Sequence, residues 1–144
     1  MKFIKLLLVA LSVTLSTASV LAEERLGLYI TPIDNDCPFN QKQLESRVEG
    51  EFLRARLKPD EQDSAFLYVK VQCLKTHAGD RHNGYIVASN IAFAIGEGQP
   101  QLLFLDDYGT VAIGGTGESG KQFLLNVVVE GTSNAITDFL KATL

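Results

Sequence analysis

The sequence predicts an α+β fold in which two helices pack on one face of a largely antiparallel sheet of four or five strands. Three observations predict it: several short segments alternate apolar and polar residues, two longer segments repeat apolar residues at helical spacing, and turn-forming residues separate them. The resulting order is β-α-β-β-β(-β)-α. Two layers are the simplest packing for this order, because each helix must bury one apolar stripe.

Residues 1–22 have the three parts of a secretory signal peptide. Two lysines form a short basic start, an apolar run follows at 6–15, and Ala22 provides the small residue of a cleavage site. The run is shorter than the about 20 apolar residues of a membrane-spanning helix. An uncleaved anchor is the alternative, which the acidic residues directly after Ala22 disfavour. We therefore expect one domain over 23–144, in a bacterial periplasm or secreted, with no transmembrane segment in the mature chain.

The mature chain is predicted to be acidic. The whole sequence has 13 basic and 17 acidic side chains, and removing the two lysines of the signal leaves 11 basic side chains and a formal charge of −6. Nucleic acids and anionic lipids attract basic surfaces. The charge therefore disfavours nucleic acid as a partner.

The segment 26–33 predicts a first strand, and a helix with strong start signals follows it. Asn40 is a good N-cap residue, and Gln43 stands three residues later, as a capping box requires. Apolar residues then recur at helical spacing as far as Leu57, and Pro59 is predicted to end the helix.

The segment 65–74 alternates apolar and polar residues and predicts a second strand. A polar segment at 75–84 predicts a long hairpin loop into a third strand at 85–95, antiparallel to the second. A fourth strand is expected at 101–105. The segment 110–114 is either a fifth strand or the continuation of the fourth past a bulge.

The C-terminal segment 119–143 has two interpretations. One stripe of apolar and small residues fits a single long helix, whereas 123–129 could be a strand followed by a helix capped at Ser133. We favour the single helix, because the stripe keeps its phase and no strong turn interrupts it. Several glycines before it are expected to turn the chain sharply, with Thr116 or Ser119 as N-cap.

Cys37 and Cys73 are the two cysteines of the chain, and we expect a disulfide between them. An exported protein meets an oxidising compartment. A helix connecting two parallel strands would also bring the residue before the helix and the end of the second strand to one edge of the sheet. The alternatives are two buried free thiols and a catalytic redox pair, which more often has C-x-x-C spacing.

The polar segment 75–84 holds weak candidates for a metal site. His77, Asp80 and His82 carry imidazole and carboxylate groups, which are ligands of zinc and copper. The alternative is a solvated turn, which we favour because three ligands on a hairpin need a fourth group and supporting contacts. We therefore expect no metal or other cofactor.

Signals for catalysis are weak. Gly115–Lys121 fits the first seven positions of the phosphate-binding pattern G-x-x-x-x-G-K-[ST], but Gln122 replaces the hydroxyl residue that coordinates Mg²⁺. Asp106 and Asp107 are more typical of a turn than of an acid and base pair. We predict that the protein binds no nucleotide and is not an enzyme; a hydrolase with a site built across loops is the least favoured alternative.

The sheet face without helices carries the candidate binding residues. Phe66, Tyr68, Lys70 and Gln72 lie on the outer face of the second predicted strand, and aromatic residues between polar ones are typical of contact surfaces. We predict a non-enzymatic module that binds a protein or a cell-envelope component. A homodimer through this face or an edge strand is one alternative, and a small-molecule or metal-binding protein using 75–84 is another.

Overall fold

The computed structural model describes most of the chain in four stretches: residues 25–59, 65–96, 101–103 and 108–143. The predicted signal peptide at 1–22 and the pair Asp106–Asp107 lie outside the described residues. Within them, the predicted two-layer α+β fold is confirmed.

Five strand segments and two helices are present in the described stretches, in the predicted order. The strands are β1 (Gly27–Ile30), β2 (Ala65–Ala78), β3 (Arg81–Ile95), β4 (Gln101–Leu103) and β5 (Thr110–Gly115). The helices are α1 (Gln41–Arg54) and α2 (Glu118–Thr143).

The sheet is mixed and is four strands wide, because β4 and β5 share one edge of β3. β1 pairs parallel with β2, and β2 pairs antiparallel with β3. The far edge of β3 pairs with two strands in succession, since β4 lies opposite Phe93–Ile95 and β5 lies opposite Gly84–Ser89. The sequence left open whether 110–114 forms a separate strand. The structure shows a separate strand, β5, which pairs with the same edge of β3 as β4 does.

The predicted hairpin loop at 75–84 is wrong. β2 and β3 continue through it and leave a two-residue turn at Gly79–Asp80. Gly79 has a φ of +61°, and a glycine with positive φ at the first turn position is typical of a type II′ hairpin. The polar composition suggested a loop, but these exposed strand ends pair through the backbone ladder and need no apolar face.

The start of α1 is set by the predicted capping box, which is confirmed. The Asn40 side-chain oxygen accepts from the Gln43 backbone N–H at 2.9 Å, and the Gln43 side chain accepts from the Asn40 N–H at 2.9 Å. The apolar stripe buries Leu44, Val48 and Phe52. Both the cap and the stripe therefore follow from local sequence.

The end of α1 differs from the prediction. The helix stops at Arg54, and Arg56 has a φ of +61°. The Leu57 N–H donates to the Phe52 carbonyl at 2.9 Å and the Arg56 N–H to the Leu53 carbonyl at 3.0 Å, which is the pair of bonds of a Schellman motif. Leu57 is buried although it lies beyond the helix end. Its apolar side chain fits the helical spacing, which is why the predicted helix was too long.

The C-terminal segment is a single helix, as predicted, but its predicted N-cap is wrong. α2 begins at Glu118, so Ser119 lies in its first turn and Thr116 lies outside it. The residue before the helix is Gly117, whose carbonyl accepts from the Lys121 N–H at 3.1 Å. Glycine is also an acceptable residue at the N-cap position.

The glycines near α2 allow close packing of backbones. A Cβ added to Gly120 would lie 2.6 Å from the carbonyl oxygen of Gly115, and one added to Gly84 would lie 2.5 Å from that of Gly114. None of these four glycines has a positive φ. Gly84, Gly114 and Gly120 therefore allow the close approach of β3, β5 and α2, whereas a Cβ at Gly115 would have nothing within 4 Å. A left-handed turn is not what requires any of them.

The core lies between the helices and the sheet. Its largest fully buried side chains come from both layers and include Leu26, Leu44, Phe52, Leu67, Ile91 and Leu124. The helices also contact each other, and the Arg47 side chain donates to the Asn126 side-chain oxygen at 2.8 Å. Within the described residues, neither helix combines the length and apolar character that crossing a membrane requires.

Candidate binding surface

The sheet has one face covered by helices and one open face. Alternate residues of each strand point to opposite faces. The covered face carries buried apolar residues, among them Leu67, Val69 and Val71 on β2 and Val87, Ile91 and Phe93 on β3. The predicted candidates Phe66, Tyr68, Lys70 and Gln72 all lie on the other side of β2. This open face is the candidate binding surface.

An aromatic cluster, formed by Tyr29, Phe66 and Tyr68, lies at one end of the open face. Tyr29 is the register partner of Tyr68 across the parallel β1–β2 pair, and their rings stack with centroids 5.8 Å apart. The Phe66 ring lies 6.3 Å from that of Tyr29 at an angle of 60°. Such ring pairs add stability beyond the area that they bury, so contacts between the rings help to hold the cluster in place.

An aliphatic patch, formed by Leu74, Ile86, Val111 and Ile113, lies at the other end. Leu74, Ile86 and Ile113 are register neighbours across β2, β3 and β5, and Val111 lies on the same face of β5. Leu74 is 67% exposed, Val111 68% and Ile113 70%. Single exposed apolar residues are ordinary on a protein surface, but here exposed residues of β2 and β5 adjoin the half-buried Ile86 of β3 and form a contiguous patch, which is typical of interaction sites.

Polar side chains separate the two apolar ends. Lys70 and Asn90 are register partners, and Gln72 lies next to Lys70 along the same face of β2. Lys70 is exposed, as are Gln72 and Asn90. Carboxylate, imidazole and thiol groups are missing from the described part of the open face. Lys70, Gln72 and Asn90 can donate hydrogen bonds to a partner, and the two amides can also accept them.

Sequence reasoning found the β2 residues of this surface and missed the rest. Tyr29 and the aliphatic patch join it only through strand register, which places β1 and β5 beside β2 and β3. One usable signal was present: Thr110–Gly115 alternates, so Val111 and Ile113 share one face of their strand.

The predicted disulfide between Cys37 and Cys73 is present. Their Cα atoms are 5.0 Å apart, and the bond joins the segment before α1 to β2. Beside it, the Lys75 ammonium donates to the Asp36 carboxylate at 2.5 Å. This hydrogen bond, together with the charge of Asp36, raises the pKa of Lys75 above its ordinary value. The disulfide and the ion pair therefore hold the same segment against the same strand.

The structure brings together two of the three weak metal candidates. His77 and His82 are register partners near the end of the hairpin, and their ring centroids are 5.6 Å apart. Asp80 lies in the turn between them. Within the described stretches, no cluster of three or more histidine, cysteine or acidic side chains is arranged to hold a metal ion, so the three weak candidates do not form a three-ligand cluster.

The stretch Gly115–Lys121 runs from the last residue of β5 into the first turn of α2. Of its three glycines, only Gly120 packs too closely against the backbone to admit a Cβ, whereas Gly115 and Gly117 face open space. The absence of nucleotide binding stays a prediction.

Comparison with known proteins gives no family for this chain. No family model matches it, and no curated protein matches it. Among solved structures, the rare lipoprotein B from Shewanella oneidensis is similar over 83% of this chain and 93% of that chain, with 12% sequence identity and a TM-score of 0.36. A similarity at this TM-score is too low to support an inference about the function of this chain.

Proposed function

We propose that this protein is an exported, non-enzymatic module that binds a protein component of the cell envelope through its open sheet face. The observation that carries the proposal is the aliphatic patch, in which the exposed Leu74, Val111 and Ile113 lie on either side of the half-buried Ile86. Export is supported by the signal-like segment 1–22 and by the disulfide, which persists in oxidising compartments.

The composition of the open face favours a protein as the ligand. Protein interfaces combine an apolar and aromatic core with polar groups that fix the orientation of the partner. Here the stacked Tyr29 and Tyr68 rings and the aliphatic patch provide the apolar part. Lys70, Gln72 and Asn90 provide hydrogen-bonding groups between them. Stacked rings also lose little side-chain entropy on binding, as anchor residues should.

The edge of the sheet next to the patch supports the same proposal. No described strand pairs with the outer edge of β5. Natural proteins protect such edges with lysine, proline or a bulge, and Thr110–Gly115 contains neither lysine nor proline. A partner strand added there would extend the sheet and place its own side chains beside Val111 and Ile113.

The chemistry of the face supports binding without catalysis. An acid, base or nucleophile would need to stand within hydrogen-bonding reach of a bound substrate. The main polar groups among the described residues of the open face are the Lys70 ammonium, the amides of Gln72 and Asn90, and the hydroxyls of Tyr29 and Tyr68. These groups can orient a partner but are weak candidates for moving a proton.

Affinity capture from the envelope fraction tests the proposal when matched variants are compared. Leu74→Lys places a charge in the aliphatic patch, and Leu53→Lys places the same charge on α1. Each leucine is 67% exposed, so the two changes should affect folding equally little. We expect the partner captured by the tagged mature wild type to be lost with Leu74→Lys and kept with Leu53→Lys.

Equal capture by both variants would contradict a role for the open face. Sedimentation of the purified protein identifies the special case in which the partner is a second copy. In that case the wild type and Leu53→Lys sediment as dimers and Leu74→Lys sediments as a monomer.

A further inference from the structure

We propose that His77 and His82 form a two-histidine site for a divalent transition-metal ion near the end of the β2–β3 hairpin. This site is separate from the open face and does not depend on the proposed function. The two residues face each other across the antiparallel ladder. Imidazole is a good ligand for Cu²⁺, Ni²⁺ and Zn²⁺.

The separation of the rings fits two ligands of one ion. A metal–nitrogen bond of about 2.0–2.1 Å, with bond angles at the metal of about 109–120°, places two imidazole centroids about 5.2–5.5 Å apart. The His77 and His82 centroids are 5.6 Å apart, with the ring planes inclined by 43°. The separation of the two rings is therefore compatible with their sharing one ion, with the ring of His77 turning to direct a nitrogen at it.

The His82 ring is held by two contacts. Its Nε2 lies 2.9 Å from the Gly84 carbonyl oxygen, and a carbonyl can only accept, so Nε2 carries the proton of the neutral ring. The Tyr85 ring meets it edge-on, with centroids 4.7 Å apart. Nδ1 consequently has a free lone pair for a metal. In metal sites, a histidine that binds the ion through one ring nitrogen usually donates a hydrogen bond from the other to a carboxylate, a backbone carbonyl or water.

The backbone also adjusts the position of His77. The β2–β3 register shifts between Thr76 and His77, and such irregularities often redirect a side chain. Next to the shift, the Thr76 hydroxyl donates to the Asn83 side-chain oxygen at 2.8 Å. His77 itself is exposed, so its ring can turn towards an ion without loss of packing.

The remaining coordination positions would be filled by water. Asp80 and Arg81 at the turn carry opposite charges, so the turn adds no net charge that would repel a cation. Affinity for nitrogen ligands rises from Ni²⁺ to Cu²⁺ and falls again at Zn²⁺. We therefore expect Cu²⁺ to bind more tightly than Zn²⁺.

Calorimetric titration of the tag-free mature protein with Cu²⁺ and with Zn²⁺ tests the site. We expect one ion per chain, and a loss of affinity of about tenfold or more in His77→Ala and in His82→Phe. Phenylalanine keeps a ring against Tyr85 while removing the nitrogens. Asp80→Asn is the matched control on the same turn and should bind as the wild type does.

Electron paramagnetic resonance of the Cu²⁺ complex gives a second reading. The wild type should show nitrogen couplings from two imidazoles, and His77→Ala from one. Unchanged affinity in His77→Ala, or no heat from either ion with the wild type, would overturn the proposal. If His82→Phe fails to fold, the exposed His77 still decides the result.

Discussion

At the residue scale, one backbone angle determines where α1 ends. Arg56 adopts a φ of +61°, in the left-handed region that costs a residue with a Cβ about 1–2 kcal/mol. Glycine adopts this region without that cost, and it is the usual residue at this position of a Schellman motif. The sequence therefore carries a strained arginine where a glycine would fit.

Replacing this arginine should stabilise the protein. We expect Arg56→Gly to raise the free energy of unfolding by about 1 kcal/mol, because the strain removed exceeds the entropy that glycine adds to the unfolded chain. Urea denaturation measures the change. A lower free energy of unfolding would show that the arginine side chain contributes more than its backbone costs.

Two helical glycines should respond in opposite directions to the same substitution. A Cβ at Gly131 would lie 2.6 Å from the Tyr108 carbonyl oxygen and 2.8 Å from the Ile91 Cδ1, whereas a Cβ at Gly50 would have nothing within 4 Å. We expect Gly50→Ala to stabilise by about 0.5–1 kcal/mol through helix propensity. Gly131→Ala should destabilise by about 1–3 kcal/mol, since α2 must move away from the Tyr108 backbone and from Ile91.

Thermal and urea unfolding of both glycine variants measure this difference. Stabilisation by both substitutions would mean that α2 and the Tyr108 backbone can move apart with little loss of free energy.

At the scale of elements, local signals predicted the start of α1 but not its end. The capping box of α1 needs only Asn40 and Gln43 and was found from the sequence. The end of α1 was not, because Arg56 is an unusual residue for a left-handed angle. The continuation of β2 and β3 through the predicted loop at 75–84 was also missed, because polar residues there continue a ladder that is stabilised by the backbone and by the partner strand.

The disulfide connects two elements that are far apart in sequence. It joins Cys37 to Cys73 with a separation of 36 residues. In the chain-entropy model, closing a loop of this length stabilises the folded state by about 3–4 kcal/mol. We expect the Cys37→Ala/Cys73→Ala double variant to lose about that much in urea denaturation.

The wild type under reducing conditions provides the control for the double variant and should lose a similar amount. Equal stability of the oxidised wild type and the double variant would contradict the expected contribution of the bond.

At the scale of the whole molecule, the layer order followed from the sequence and the binding surface followed only in part. Amphipathic helices and alternating strands require a covered sheet face, which is why the two-layer fold was predictable. The four candidates on β2 were predictable from alternation alone. The aliphatic patch was not, because it needs β5 to pair with β3 at the register that sets Ile113 beside Ile86. Neighbours across strands are a property of the assembled sheet.

A pair of valines on the two faces of the sheet tests this asymmetry directly. Val87 on β3 is 2% exposed and points to the helices, whereas Val111 on β5 is 68% exposed on the open face. Threonine has nearly the shape of valine, so each substitution changes little except polarity. Val87→Thr buries a hydroxyl and should lose about 1–3 kcal/mol of unfolding free energy. Val111→Thr should change it by no more than about 0.5 kcal/mol.

Urea denaturation of the two variants side by side gives the comparison. A loss at Val111 as large as that at Val87 would mean that the open face is covered in the folded protein in solution, as it would be in a stable dimer. Repeating the measurement at several protein concentrations distinguishes a dimer with a covered face from a monomer with an open one, because only a dimer gains stability with concentration. Stability of Val111→Thr that matches the wild type at every concentration leaves the open face free for a different partner.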